Sequence, residues 1–234
     1  MTYYHYVHED PTTWIRFNPL IIAHDVGRSR DRSTAVIGGN SPIPPRLLGI
    51  QELIELPLDL YGSARASELL SIDRRYNHNA LIVADLSNDE SYAEILFETF
   101  RARLIGLQIS RSGDGVGCVR RPVPDGSIPV YTVGRSYLIE LYHRELQSRL
   151  VRIVDSPMAQ KAFAQLEALE VEYRDTGTVY RCLPGHHDDL GISCAMLAWA
   201  ARHPDLLRWC RSAQPVRRVR GPSMSAASAW RAFT

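Results

Sequence analysis

Two carboxylates and an acid pair stand where a chain could use them for chemistry. Asp25 ends the apolar run "PLIIAHD", Asp85 ends "ALIVAD", and Asp188 and Asp189 follow two histidines in "GHHDDLGISCAMLAWA". Singly, each has an ordinary explanation. Asp25 before Val-Gly and Asp85 in "DLSND" are good turn residues, because a short carboxylate can bond its own backbone. Asp188 can cap a helix, and Asp189 can complement its dipole. Jointly they suggest more. Acids at two strand ends plus a pair at a helix start make an oxygen-donor set for a hard cation such as Mg²⁺, which keeps waters and needs few protein ligands. Two such ions about 4 Å apart can activate a water and stabilise the leaving oxygen of a phosphodiester. His186 lies three residues before Asp189, a spacing that puts both on one side of a helix start, where the imidazole could orient water or move a proton.

The spacing of apolar residues predicts the elements that must hold these groups. "PLIIAHDV", "STAVIGG" and "RLLGIQELIELP" read as three strands in an antiparallel meander, the last closed by Pro57. Leu60, Ala64, Leu69 and Ile72 return at helical spacing up to Tyr76. "ALIVAD" is a short continuous apolar run, as in a strand buried on both faces. A helix from Asp89 and the strand "LIGLQIS" follow, so residues 80–110 form a parallel β-α-β unit. Residues 111–134, rich in Gly, Pro and Arg, read as a long loop or hairpin, either a plain surface connection or an Arg-bearing arm. "RSYLIELYHRELQSRL" and "SPMAQKAFAQLEALEVEY" read as amphipathic helices, "GTVYRCL" as a strand, and "HHDDLGISCAMLAWAARH" as a last helix stopped by Pro204. If the strands ending in Asp25 and Asp85 are neighbours, both acids emerge at the carboxyl edge of an α/β sheet, where ligands gather. The reading is therefore one α/β domain over residues 19–203, a mixed central sheet flanked by helices, with an irregular segment 1–18 and a basic tail 204–234.

Composition limits the function classes. The 234 residues are 45% hydrophobic with a net charge of +1, enough apolar material for a real core. No run approaches a membrane span and the N-terminus lacks signal-peptide anatomy, so the expectation is a soluble, cytoplasmic protein without a membrane partner. Cys118, Cys182, Cys194 and Cys210 are scattered, which argues against a zinc knuckle or a disulfide framework. Lys161 is the one lysine, and arginine supplies the remaining positive charge. Codon bias is one reason for that. Phosphate contact is another, since the guanidinium fork binds oxygens bidentately. Arg28, Arg30 and Arg32 behind Asp25, with Arg111, Arg120 and Arg121, are the candidate contacts to DNA. The near-neutral total implies weak affinity for DNA alone and a partner that holds it.

"AHDVGRSRDRSTAVIGG", "LIVADLSND" and "GHHDDLGISCAMLAWA", in this order, together with the helical "RSYLIELYHRELQSRLVRI", resemble the nuclease domain of phage terminase large subunits over roughly residues 18–203. The resemblance implies a ribonuclease H-like fold, related to Holliday-junction resolvases, that cuts double-stranded DNA with two Mg²⁺ or Mn²⁺ ions. It makes Asp25, Asp85 and Asp189 metal ligands, Asp188 an auxiliary acid, and His186 a match to the histidine that some members carry. Two features depart from the family pattern. There is no G-x-x-x-x-G-K-[ST] loop for a packaging ATPase, and the chain has no Gly-Lys at all. "DLSNDESY" also replaces the Gly-rich turn after the second acid. The resemblance thus implies a nuclease half working with a separate packaging ATPase, small terminase or portal protein, or else a prophage or gene-transfer remnant. Two rival classes stay open: a non-cutting interaction module that keeps the fold, and an actin-like ATP-binding fold, for which "SGDGVG" at 112–117 would be the phosphate loop.

Overall fold

The computed structural model describes residues 19–27, 31–41, 47–87, 89–174, 177–183, 185 and 187–207. The segment 1–18, Arg28, Arg30, His186 and residues 208–234 lie outside the described residues.

Three strands come first among the described residues: β1 (Leu20–Asp25), β2 (Thr34–Asn40) and β3 (Leu48–Glu55), paired antiparallel in sequence. The α1 helix (Gly62–Arg75) leads to β4 (Leu81–Asp85), and α2 (Glu90–Phe100) leads to β5 (Leu104–Ser110). Asp89 caps α2 by accepting from the Tyr92 N–H at 2.9 Å, as its position before the helix requires. Then come β6 (Asp114–Val123), β7 (Gly126–Gly134), α3 (Arg135–Gln147), β8 (Val151–Ile153), α4 (Pro157–Glu167), β9 (Glu170–Arg174), β10 (Gly177–Arg181) and α5 (Asp189–Arg202).

Eight strands form one mixed sheet in the order β6-β7-β5-β4-β1-β2-β3-β8, with β9 and β10 as a separate hairpin. β1 pairs parallel with β4, β4 with β5 and β5 with β7. Alternation along the strands divides the core. On one face Ile22, Ala35, Ile37, Ile82 and Ala84 pack against α1 and α2 through Leu69, Ile72, Tyr92, Leu96 and Phe100. On the other, Ile21, Ala23, Val36, Val83, Leu107 and Val133 pack against α3, α4 and α5. Residues 190–201 of α5 are buried all round, which is why its apolar residues lack a polar stripe. Gly38 allows this close approach, because a Cβ there would meet the Gly49 carbonyl oxygen at 2.1 Å and Leu197 at 2.9 Å. Arrangement and layers are those of a ribonuclease H-like α/β fold.

Of the loop or hairpin expected over residues 111–134, the structure has the hairpin, β6–β7, and β7 joins the main sheet beside β5. The helix expected over "SPMAQKAFAQLEALEVEY" ends at Glu167, and "EVEYR" is instead β9, whose charged and branched alternation suits an exposed hairpin. The three-residue strand β8 was too short to show a period. The core also carries beyond residue 203, since Leu206 is 2% exposed in a final helical turn.

Candidate metal and nucleic-acid site

β1 and β4 run parallel with His24 opposite Ala84, so the next residue on each strand, Asp25 and Asp85, ends the pair side by side. Across β1 on the other side, Asp25 pairs with Thr34 of β2, and Thr34 pairs with Glu55 of β3. At the far side of β5, β7 ends at Gly134 and Arg135 begins α3. One edge of the sheet therefore presents Glu55, Asp25, Asp85 and Arg135.

Asp189 is held at that edge by side chains of two other elements, β2 and α4, and by Ser193 of its own helix. The Thr34 hydroxyl donates to the Asp189 carbonyl at 3.2 Å and accepts from Ser193 at 2.7 Å. From α4, Gln165 Oε1 accepts from the Leu190 and Gly191 N–H groups at 3.0 and 3.2 Å, capping α5 from outside. This leaves Asp188, which occupies the capping position, without a cap bond. Its carboxylate pairs instead with the Arg135 guanidinium.

The carboxylates act on one another. Burial, then the charges of Asp85 and Asp189, hold the Asp25 carboxyl well above the usual carboxylate range, against the opposing pull of Arg135 and the Val26 backbone. Asp189 is also raised, first by burial and then by Asp31, with Glu55 adding to it and His187 and Arg135 opposing. Asp85 is tied by its Oδ1 to the Ser87 N–H at 3.0 Å and to the Ser87 hydroxyl. This is the turn that replaces a Gly-rich one.

Gly27 lies close to Asp31 and Ser33: its N–H donates to Ser33 Oγ at 3.0 Å, and a Cβ on Gly27 would meet the Asp31 carbonyl oxygen at 2.2 Å. Asp31 lies near the start of α5, where His187 Nδ1 is 3.3 Å from Asp31 and 3.9 Å from Asp189. On the opposite face of β1, His24 is fully buried between the Thr34 carbonyl at 2.8 Å and the Tyr92 hydroxyl at 3.1 Å. Burial pushes its pKa down to about 4, so the ring is neutral.

The arginines separate. Arg32 is exposed beside the acidic edge, and Arg111 is exposed just after β5 ends there. Arg121 donates to the Leu86 carbonyl at 3.1 Å, one residue from Asp85. Arg120 points elsewhere, into a cleft of about 420 Å³ with Arg101, Tyr131 and Asp205 beside Leu104, where β5 begins. That is the other end of the sheet.

The donor set fits a hard divalent cation in chemistry: oxygen ligands, partly buried, with mutual repulsion that a cation would relieve. It is not closed. Among the described residues no three His, Cys, Asp or Glu side chains are gathered tightly enough to hold a metal as they stand. Arg135, Glu55, Asp31, Thr34 and Gln165 escaped the sequence reading. For Arg135 and Glu55 a signal existed, since each stands where an apolar strand ends, as Asp25 and Asp85 do. Gln165 had none, because its role arises from α4 meeting α5.

No protein-family model matches the chain, and no curated protein matches it. Its fold is similar to that of solved large terminase nuclease domains. Against the large terminase nuclease of thermophilic phage G20c the TM-score is 0.51 at 18% identity, over 79% of this chain and 82% of that one. Against the large terminase nuclease domain of Thermus phage P74-26 it is 0.50 at 17% identity, over 77% and 78%. Against the g2p nuclease domain of bacteriophage SPP1 with bound Mn it is 0.49 at 14% identity, over 83% and 93%. The chain has the ribonuclease H-like fold of large terminase nuclease domains. No helix among the described residues is long and apolar enough to cross a membrane.

Proposed function

We propose that this chain is a divalent-metal-dependent endonuclease that hydrolyses phosphodiester bonds of double-stranded DNA. The observation that carries this is the shared electrostatics of Asp25, Asp85 and Asp189 at one sheet edge, drawn from two parallel strands and a buried helix. These three acids would hold the metal, Mg²⁺ or Mn²⁺, which when bound would supply water activation and stabilise the leaving oxygen. Asp25, on which the charges of both Asp85 and Asp189 act, would be the central ligand. Thr34, Ser193 and Gln165 fix the backbone at Asp189, so that its carboxylate stays aimed at the edge. His187 stands beside Asp189, where a water or a phosphate would approach, and His186 is a further candidate from the sequence. Arg32, Arg111 and Arg121 meet the DNA backbone around the acids, with Arg28 and Arg30, close to Arg32 in sequence, as further candidate contacts.

A nuclease domain of near-neutral charge works with a protein that holds the DNA. The partner class is a packaging ATPase, a small terminase or a portal protein, in a phage- or prophage-bearing bacterial cytoplasm. One observation favours a second reading, a module that keeps the fold without cutting: the acids do not close into a metal cluster as they stand. Incubation of supercoiled plasmid with the full chain decides between them. The nuclease reading expects nicked and linear products with Mn²⁺ or Mg²⁺ and none with EDTA. Intact plasmid under every metal condition, with DNA still bound, favours the non-cutting module.

A further inference from the structure

Arg135 belongs to no part of the ligand set, yet the fold places it among the acids. It directly follows Gly134 at the end of β7, at the same sheet edge as Asp25 and Asp85. From there its guanidinium reaches α5 and pairs with Asp188. Asp188 stands at the cap of α5 but gives its side chain to Arg135 rather than to the helix, whose first N–H groups are served by Gln165. The pair is sheltered, with the Arg135 side chain 33% exposed and that of Asp188 11% exposed, so solvent screens it less than a surface pair. The guanidinium charge also favours the ionised forms of Asp25 and Asp189.

We propose that Arg135 is a built-in counter-cation of the acidic edge: it balances Asp188 and the neighbouring acids when no divalent ion is bound, and its charge opposes the ion that enters. The second half rests on the metal-site reading above; the first does not. Arginine suits the role because it stays charged at any working pH and its fork can hold one carboxylate while facing others. Arg135 is then a positioning residue that sets ion affinity, not a group that touches substrate. A fixed positive charge inside the same sheltered edge weakens cation binding through like-charge repulsion.

Two measurements on the full chain test this. The first is a double-mutant cycle of denaturant stability at pH 8 in EDTA, using Arg135→Gln, Asp188→Asn and the pair. The stability lost with Arg135→Gln is expected to fall by at least about half when Asp188 is already neutral. If Arg135→Gln alone does not fold, recovery of folding in the pair is the same result, and no recovery overturns the proposal. The second is calorimetric titration with Mn²⁺. Arg135→Gln is expected to bind about three- to tenfold more tightly than wild type, and Arg135→Lys within about twofold of it. An additive cycle, or Mn²⁺ affinity in Arg135→Gln equal to or weaker than wild type, overturns the counter-cation. A purely structural role would weaken the Gln and Lys variants alike. Wild-type protein that binds no Mn²⁺ while the cycle is non-additive overturns the metal reading and the competition, and leaves the charge balance standing.

Discussion

Asp25 and Asp85 end neighbouring parallel strands one residue beyond the His24–Ala84 pair, so the sheet register itself sets two carboxylates side by side. The sheet holds this arrangement at a cost, because burial and the Asp85 charge make Asp25 harder to ionise.

That cost should appear as a trade between stability and activity. Asp25→Asn removes the buried, repelled charge and is expected to stabilise the metal-free protein by about 1–2 kcal/mol at neutral pH. The same change is expected to lower plasmid cleavage by about a hundredfold or more if Asp25 holds the metal as proposed. Urea denaturation in EDTA and a cleavage time course check the two arms. A variant as active as wild type removes Asp25 from the site.

His24 gives the fold an acid-sensitive point. Its folded pKa of about 4 lies below the ordinary 6.5, so between these values the unfolded chain binds the extra proton. Stability is therefore complete above pH 6.5 and falls as the pH drops toward 4, by on the order of 3 kcal/mol from this residue. His24→Gln should be less stable at pH 7, because the Thr34 and Tyr92 contacts change, but with a flatter profile between pH 6.5 and 4. Urea midpoints across that range measure it.

Gln165 acts on Asp189 from a distance. Gln165→Ala leaves the Leu190 and Gly191 N–H groups buried without an acceptor and is expected to cost about 1–3 kcal/mol. Gln165→Glu keeps the acceptor oxygen and should recover most of that stability. Thermal melts of the two variants, read with cleavage rates, separate loss of the cap from general damage.

The arginines should divide by position. Arg32→Ala and Arg111→Ala are each expected to weaken DNA binding and to reduce the slope of log affinity against log salt by about 0.9. Arg120→Ala, whose side chain lines the cleft at the opposite end of the sheet, should leave both unchanged. Fluorescence anisotropy with duplex DNA at several salt concentrations checks this.

Much of this architecture was legible in the chain. β1, β4 and β5 announced themselves as apolar runs because both their faces are covered by helices, and the strand-end acids stood out against those runs. β7 was hidden, since Gly126, Pro129 and Gly134 gave a central strand the composition of a loop. The helix-to-hairpin change at Leu169 was hidden for a related reason: "EALEVEY" alternates well enough for either period, and only packing decides. At the site, Asp25 and Asp85 were visible because strand ends are local. The cap supplied by Gln165, the hydroxyl of Thr34 and the pairing of Arg135 with Asp188 depend on contacts between distant elements, which residue spacing does not encode.

If Asp25, Asp85 and Asp189 together hold divalent ions, crystals soaked in Mn²⁺ and measured at the manganese edge show anomalous density at the sheet edge within bonding distance of all three carboxylates. Density elsewhere, or none at a concentration that supports cleavage, would contradict that shared site.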